Sequence, residues 1–132
     1  MKTFTTPGPA ALMVRFAAGR LYVRTAADDH DQTATLVDVQ PANPDSSADV
    51  EHAAATTVEQ RGETIELIAP TSKGWFGRNP RLEVRLVVPA HSRVDADVKS
   101  ADVQLAGELG EVFVATASGD VAVEHAAELQ AR

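Results

Sequence analysis

A chain of 132 residues, 44% of them hydrophobic, is long enough for one domain with its own core and too apolar for wholesale disorder. Twelve Lys and Arg against nineteen Asp and Glu leave a net charge of −7, which argues against nucleic acid and anionic membranes, where binding begins with cationic neutralisation. The absence of cysteine excludes disulfides, thiolate catalysis and Cys-based zinc sites, and suits a reducing cytoplasm.

Met1 to Ala10 contains no apolar run of the kind a signal peptide needs, and no later run reaches the roughly 20 apolar residues that cross a bilayer. The expectation is a cytoplasmic protein without membrane insertion, with association at the cell surface by another route left open. Lys2 to Thr6 reads as a short strand stopped by Pro7-Gly8-Pro9. Leu12, Val14 and Phe16 then share one face, Ala18-Gly19 reads as a turn, and Leu21 and Val23 oppose Arg20 and Arg24, which together predict an antiparallel hairpin. Arg15, Arg20 and Arg24 form a candidate basic patch there, although solvated strand residues balanced by nearby acids explain them more simply.

Asp28, Asp29 and Asp31 surround His30, but one histidine without a second ligand cluster is a weak cation signal, and no metal is assigned. Thr33 to Val39 is β-like, and Pro41 to Ser47 is loop-like. Ser46 followed by Asp49 predicts a capped helix over Ala48 to Ala55, short and packing Val50, Ala53 and Ala54. Thr57 to Gln60 and Glu63 to Ile68 form a hairpin about Arg61-Gly62, with Ile65 and Leu67 on one face. The stretch from Ala69 to Pro80 carries the sole tryptophan in a Gly-flanked segment. Lys73, Trp75, Phe76 and Arg78 make it the candidate interaction loop, since aromatics and arginine concentrate where partners bind. An aromatic lid over the end of the Ala/Val-rich core gives the same letters and is the favoured reading of them. Arg81 to Val88 is the strongest strand, ended by Pro89, which has no amide donor.

From Arg93 onward the sequence repeats itself. Ser100-Ala101-Asp102-Val103 and Ser118-Gly119-Asp120-Val121 are one phrase set 18 residues apart, each flanked by alternating strands. Ala101 stands where Gly119 stands, which predicts a slightly different geometry for the two corners. Solenoid-like stacking is favoured because short-period repetition marks such arrays. Antiparallel hairpins in a meander fit the same letters, and two copies do not decide.

The runs Lys-Ser-Ala-Asp-Val, Gly-Glu-Leu-Gly-Glu-Val and Ala-Thr-Ala-Ser-Gly-Asp-Val-Ala-Val, within Lys99 to Val123, resemble the bacterial putative-adhesin β-strand-repeat family, a domain of unknown function. The resemblance covers Pro80 to Arg132 well and the first eighty residues only in outline. It implies an all-β fold with a β-helix-like C-terminal part and brings no catalytic residues with it. The sequence stops at Glu128 to Arg132, just before a further copy of the phrase would be due, so the repeat part is expected to be the start of a longer array.

No Gly-rich phosphate loop and no Gly-Xaa-Ser-Xaa-Gly elbow occurs, and His30, His52, His91 and His125 lack paired metal spacing. Asp102 and Asp120 would repel if stacked, so solvent exposure is expected for both. The sequence therefore predicts a single all-β domain over residues 1–132. Antiparallel N-terminal strands (1–89) continue into a β-helix or solenoid-like repeat section (90–132), with at most one short helix. The expected role is noncatalytic: a protein-interaction or assembly scaffold, adhesin-like, without cofactor or metal. Its partners would be copies of itself through strand edges, or another protein. The alternative is a carbohydrate-binding module or β-helix-type glycan-active enzyme using the Trp75-Phe76 loop.

Overall fold

A computed structural model describes residues 2–6, 8–26, 34–70, 80–123 and 126–131. Its elements in chain order are β1 (Lys2–Thr5), β2 (Ala11–Thr25), β3 (Ala34–Pro41), α1 (Ser47–Ala55), β4 (Thr57–Arg61), β5 (Thr64–Ile68), β6 (Arg81–Val88), β7 (Arg93–Ala106), β8 (Leu109–Ser118), β9 (Val121–Val123) and β10 (Ala126–Ala131). The protein is thus mostly β with one short helix. All ten strands join one sheet, whose main path runs β1-β3-β6-β2-β7-β8-β10, with β5 beside the first half of β2, β4 on the far side of β5, and β9 beside β7.

The sheet folds over itself, and the sequence shows where. Along β7 the buried residues are Val94, Ala96 and Val98, then Ala101, Val103 and Leu105. The alternation loses step between Val98 and Ala101, so two successive positions point outward and the strand turns a corner. β2 loses step in the opposite sense, with Leu12, Val14, Phe16 and Ala18 buried up to the corner and Gly19, Leu21 and Val23 after it, so that two successive positions, Ala18 and Gly19, point inward. Both halves contribute to one continuous core, which makes the sheet nearly closed.

Parallel pairing stacks like residues inside that core. In the first half, Ile65, Leu12, Val94 and Val112 occupy neighbouring strands at one level, and Leu67, Val14, Ala96 and Val114 the next. In the second half, Val84, Leu21, Val103 and Val121 form one row, and Leu86, Val23 and Leu105 another. Each fully buried Val or Leu contributes about 1.5–3 kcal/mol of apolar transfer free energy, which is how so few aromatic residues suffice.

The 18-residue phrase is expressed in this register. Val94 lies beside Val112, Ser100 beside Ser118 and Val103 beside Val121, all in parallel, so the meander of antiparallel hairpins is not what forms. The two corners differ, as Ala101 in place of Gly119 suggests. Gly119 has φ +127, whereas Ala101 keeps a negative φ. Asp102 and Asp120 are both exposed, and they interact by something other than repulsion: the Asp120 amide donates to an Asp102 carboxylate oxygen at 3.1 Å.

Two expectations fail. Ala11 to Thr25 is one bent strand of 15 residues, without a hairpin, and β2 pairs in parallel with β5 and β6 on one edge and β7 on the other. Antiparallel pairing in the N-terminal part is therefore confined to β1-β3, β3-β6 and β4-β5. Gly19 misled because glycine serves close approach as well as turns: a Cβ there would stand 2.7 Å from the Leu82 amide nitrogen. The helix also docks differently. Ser46 caps it as the spacing predicts, its side chain accepting from the Asp49 amide at 3.3 Å. The buried residues, however, are Asp49 and His52, while Val50 is 43% exposed and Ala54 is exposed.

Candidate functional site

The Asp49 carboxylate explains that docking. One oxygen accepts from the Arg81 amide at 2.8 Å and the other from the Asn43 amide at 3.1 Å, fastening α1 to the start of β6 and to the loop before the helix. These amides lie where α1, β3 and β6 meet, so a carboxylate holds the helix where an apolar residue could not. A concavity of about 310 Å³ lies beside it, bordered by Arg20, Asn43, Asp49, Arg81 and Glu83.

His52, on the same buried side of α1, has its pKa lowered by burial, which outweighs the opposing influence of the Asp49 charge. The consequence for stability has a definite sign. Between the depressed folded value and the unfolded value near 6.5, the unfolded chain binds more protons. The stabilising contribution is therefore complete above about pH 6.5 and is lost as the pH falls toward the folded value. Urea midpoints measured from pH 7.5 to 5 should fall, and His52→Gln should flatten that fall.

The better-furnished concavity lies on the outer face of the second half of the sheet and measures about 490 Å³. The register builds it as two ranks across four strands. Asp38 on β3, Arg85 on β6, Tyr22 on β2 and Gln104 on β7 are successive neighbours; Leu36, Val87, Arg24 and Ala106 form the adjoining rank. These positions face outward because they alternate with the inward Val37, Leu86, Val23 and Leu105. The guanidinium carbon of Arg85 lies 5.5 Å from the centre of the Tyr22 ring, and Nη2 donates to a Glu83 carboxylate oxygen at 3.0 Å. That hydrogen bond is the main reason the Arg85 pKa is raised, keeping the group charged. Asp38 accepts from the Gln40 amide group at 2.9 Å. Arg24 is exposed and forms no ion pair with the described residues.

The structure divides the arginine patch read from the sequence. Arg15 belongs to the other half of the sheet, where it meets Asp95 at 3.3 Å, while Arg20 and Arg24 flank Tyr22 beyond the corner. The candidate interaction loop, with Lys73, Trp75, Phe76 and Arg78, lies outside the described residues, as do His30, its three neighbouring aspartates and His125. His91 is exposed with φ +66. Among the described residues, no three of His, Asp and Glu converge on a cation position, and no helix is long and apolar enough to cross a membrane. Sequence reasoning missed the groove because its residues come from four strands. The available signal was Arg20-Leu21-Tyr22-Val23-Arg24, which sets the only tyrosine between two arginines on one strand face.

No family model matches the chain, and no curated protein matches it. A solved structure of a "putative cell adhesion protein" from Clostridium sporogenes aligns over 99% of this chain and 98% of its own, at 7% identity and a TM-score of 0.28. At that score the likeness carries no argument about fold or role.

Proposed function

We propose that the chain is a noncatalytic β-repeat scaffold, adhesin-like in the sense of its sequence resemblance. It would work through strand edges and through the loop carrying Lys73, Trp75, Phe76 and Arg78. The observation that carries this reading is the 18-residue register between β7 and the β8-β9 pair, in which Ser100 and Ser118, and Val103 and Val121, lie one strand apart in parallel. Successive corners at the same level favour stacked coils of the solenoid kind, each burying its inner face on its neighbour. β9 and β10 pair on one side only among the described residues. Main-chain donors and acceptors on such edges suit a second copy or a partner strand. We place this work in the cytoplasm, as suits a chain without cysteine, with cell-surface attachment by another route as the competing placement.

Light scattering over a wide concentration range tests the edge. Assembly is expected to rise with concentration and to weaken in Ala122→Lys, since Ala122 is exposed on β9 and lysine blunts edge pairing. A monomer at every concentration that also retains no partner strand would remove the scaffold reading.

A further inference from the structure

We propose that the outer groove around Tyr22 binds an acidic sugar, the carboxylate-bearing ring of a uronate-containing polysaccharide. This goes beyond the scaffold role and uses a different surface from the strand edges.

The first argument concerns what the groove can offer. β2 and β6 are each paired along both edges, β6 with β3 and β2, and β2 with β6 and β7. Their main-chain groups are therefore committed to the sheet, and an extended peptide has no edge to join here. Recognition must come from side chains standing off the sheet. The floor is apolar, with Leu36, Val87 and Ala106 beside the Tyr22 ring, on a face where outward positions are ordinarily polar. A pyranose presents an apolar C–H face to such a floor and hydroxyls to its rim, where the Gln104 amide donates and accepts and the Asp38 carboxylate accepts.

The second argument is charge. The chain as a whole carries −7, yet the groove holds two guanidiniums, of which Arg85 is neutralised by Glu83, leaving Arg24 and the Asp38 carboxylate as its other charges. Arg85 is held by Glu83 and Tyr22, whereas Arg24 keeps its planar fork free of ion pairs with the described residues. A fork of that kind matches one carboxylate in bidentate fashion. The overall negative charge disfavours densely charged polyphosphates, so one carboxylate per ring is the better fit. The volume, about 490 Å³, lies within the ~300–1,000 Å³ usual for small-ligand sites.

Tyr22 and Trp75 are the only tyrosine and the only tryptophan, so each reports on its own place without an introduced label. The experiment follows the Tyr22 ring resonances by NMR and tryptophan fluorescence in parallel, on the full chain, with tetragalacturonate, cellotetraose and hexaglutamate as probes. Tetragalacturonate should shift the Tyr22 ring saturably. Arg24→Gln should weaken that binding about tenfold or more. Arg24→Lys, which keeps the charge but loses the fork, should fall between. Arg61→Gln, on β4 and outside the groove, should bind as the parent does. Four results would overturn the proposal: no Tyr22 response, an equal response to cellotetraose, an equal response to hexaglutamate, or a Trp75 response with Tyr22 silent. None of these bears on assembly, which light scattering reads separately.

Discussion

Gly19→Val should leave the protein largely unfolded under conditions in which the parent chain melts cooperatively. Two costs coincide at this position. The backbone holds φ at +132, where a β-branched residue is strained. A Cβ would also stand 2.7 and 2.8 Å from the Leu82 amide nitrogen and carbonyl carbon, and closer still to the carbonyl oxygen. That backbone belongs to β6 and cannot swing aside as a side chain could, because β6 is paired with β3 on its far edge. Relief would mean parting β6 from β2 and opening the second half of the core. Strain of about 1–3 kcal/mol from the dihedral, with about 1–3 kcal/mol or more from overpacking, approaches the whole stability of a small domain. Gly8→Ala is the matched control: nothing lies within 4 Å of its Cβ position, and the melt should be unchanged. Circular dichroism melts of both variants decide the point, and a Gly19→Val chain as stable as the parent would show that β6 does not press on β2 as described.

The second large effect is expected at Leu21. Its side chain has no solvent exposure and sits mid-row between Val84 and Val103, with β-strands on both sides. Leu21→Ala removes three carbons from a place that neighbouring strands cannot refill without breaking their own register. The loss should be about 2–5 kcal/mol, read as a lower urea midpoint at unchanged slope. Val50→Ala, at a position 43% exposed on α1, should change stability by no more than about 0.5 kcal/mol. The contrast separates hydrophobicity from location, since both substitutions shorten an aliphatic side chain.

What could be read from the residues followed the range of the interactions involved. The helix cap was legible because Ser46 and Asp49 are three apart and their bond is local. The β4-β5 hairpin was legible for the same reason, one residue out of place: Arg61 ends β4 opposite Thr64, and the turn residues are Glu63 and Gly62, whose φ is +62. The corner phrase was legible because repetition declares equivalence without any knowledge of pairing. The course of β2 was not. Its partners lie at Thr64, Arg81 and Arg93, and an alternating pattern reports which face is buried but not which strand lies alongside. The docking of α1 was lost likewise: Asp49 is buried to serve the Arg81 amide, 32 positions away, and no local pattern announces such a need. The groove required Asp38, Arg85, Tyr22 and Gln104 to be set side by side from four strands, and only the register does that.

The place of β2 has a consequence for the order of events in folding. It lies between β6 and β7, which follow one another along the chain with only Pro89 to Ser92 between them. A nascent polypeptide makes β2 early and its flanking partners some sixty to eighty positions later, so this strand must wait for its berth. Until it arrives, β6 and β7 have a gap one strand wide, bounded by unsatisfied amides and an open apolar trough. Such a route implies slow closure dominated by distant contacts. It also implies that a synthetic peptide spanning Ala10 to Ala26 should compete with β2 for the gap during refolding.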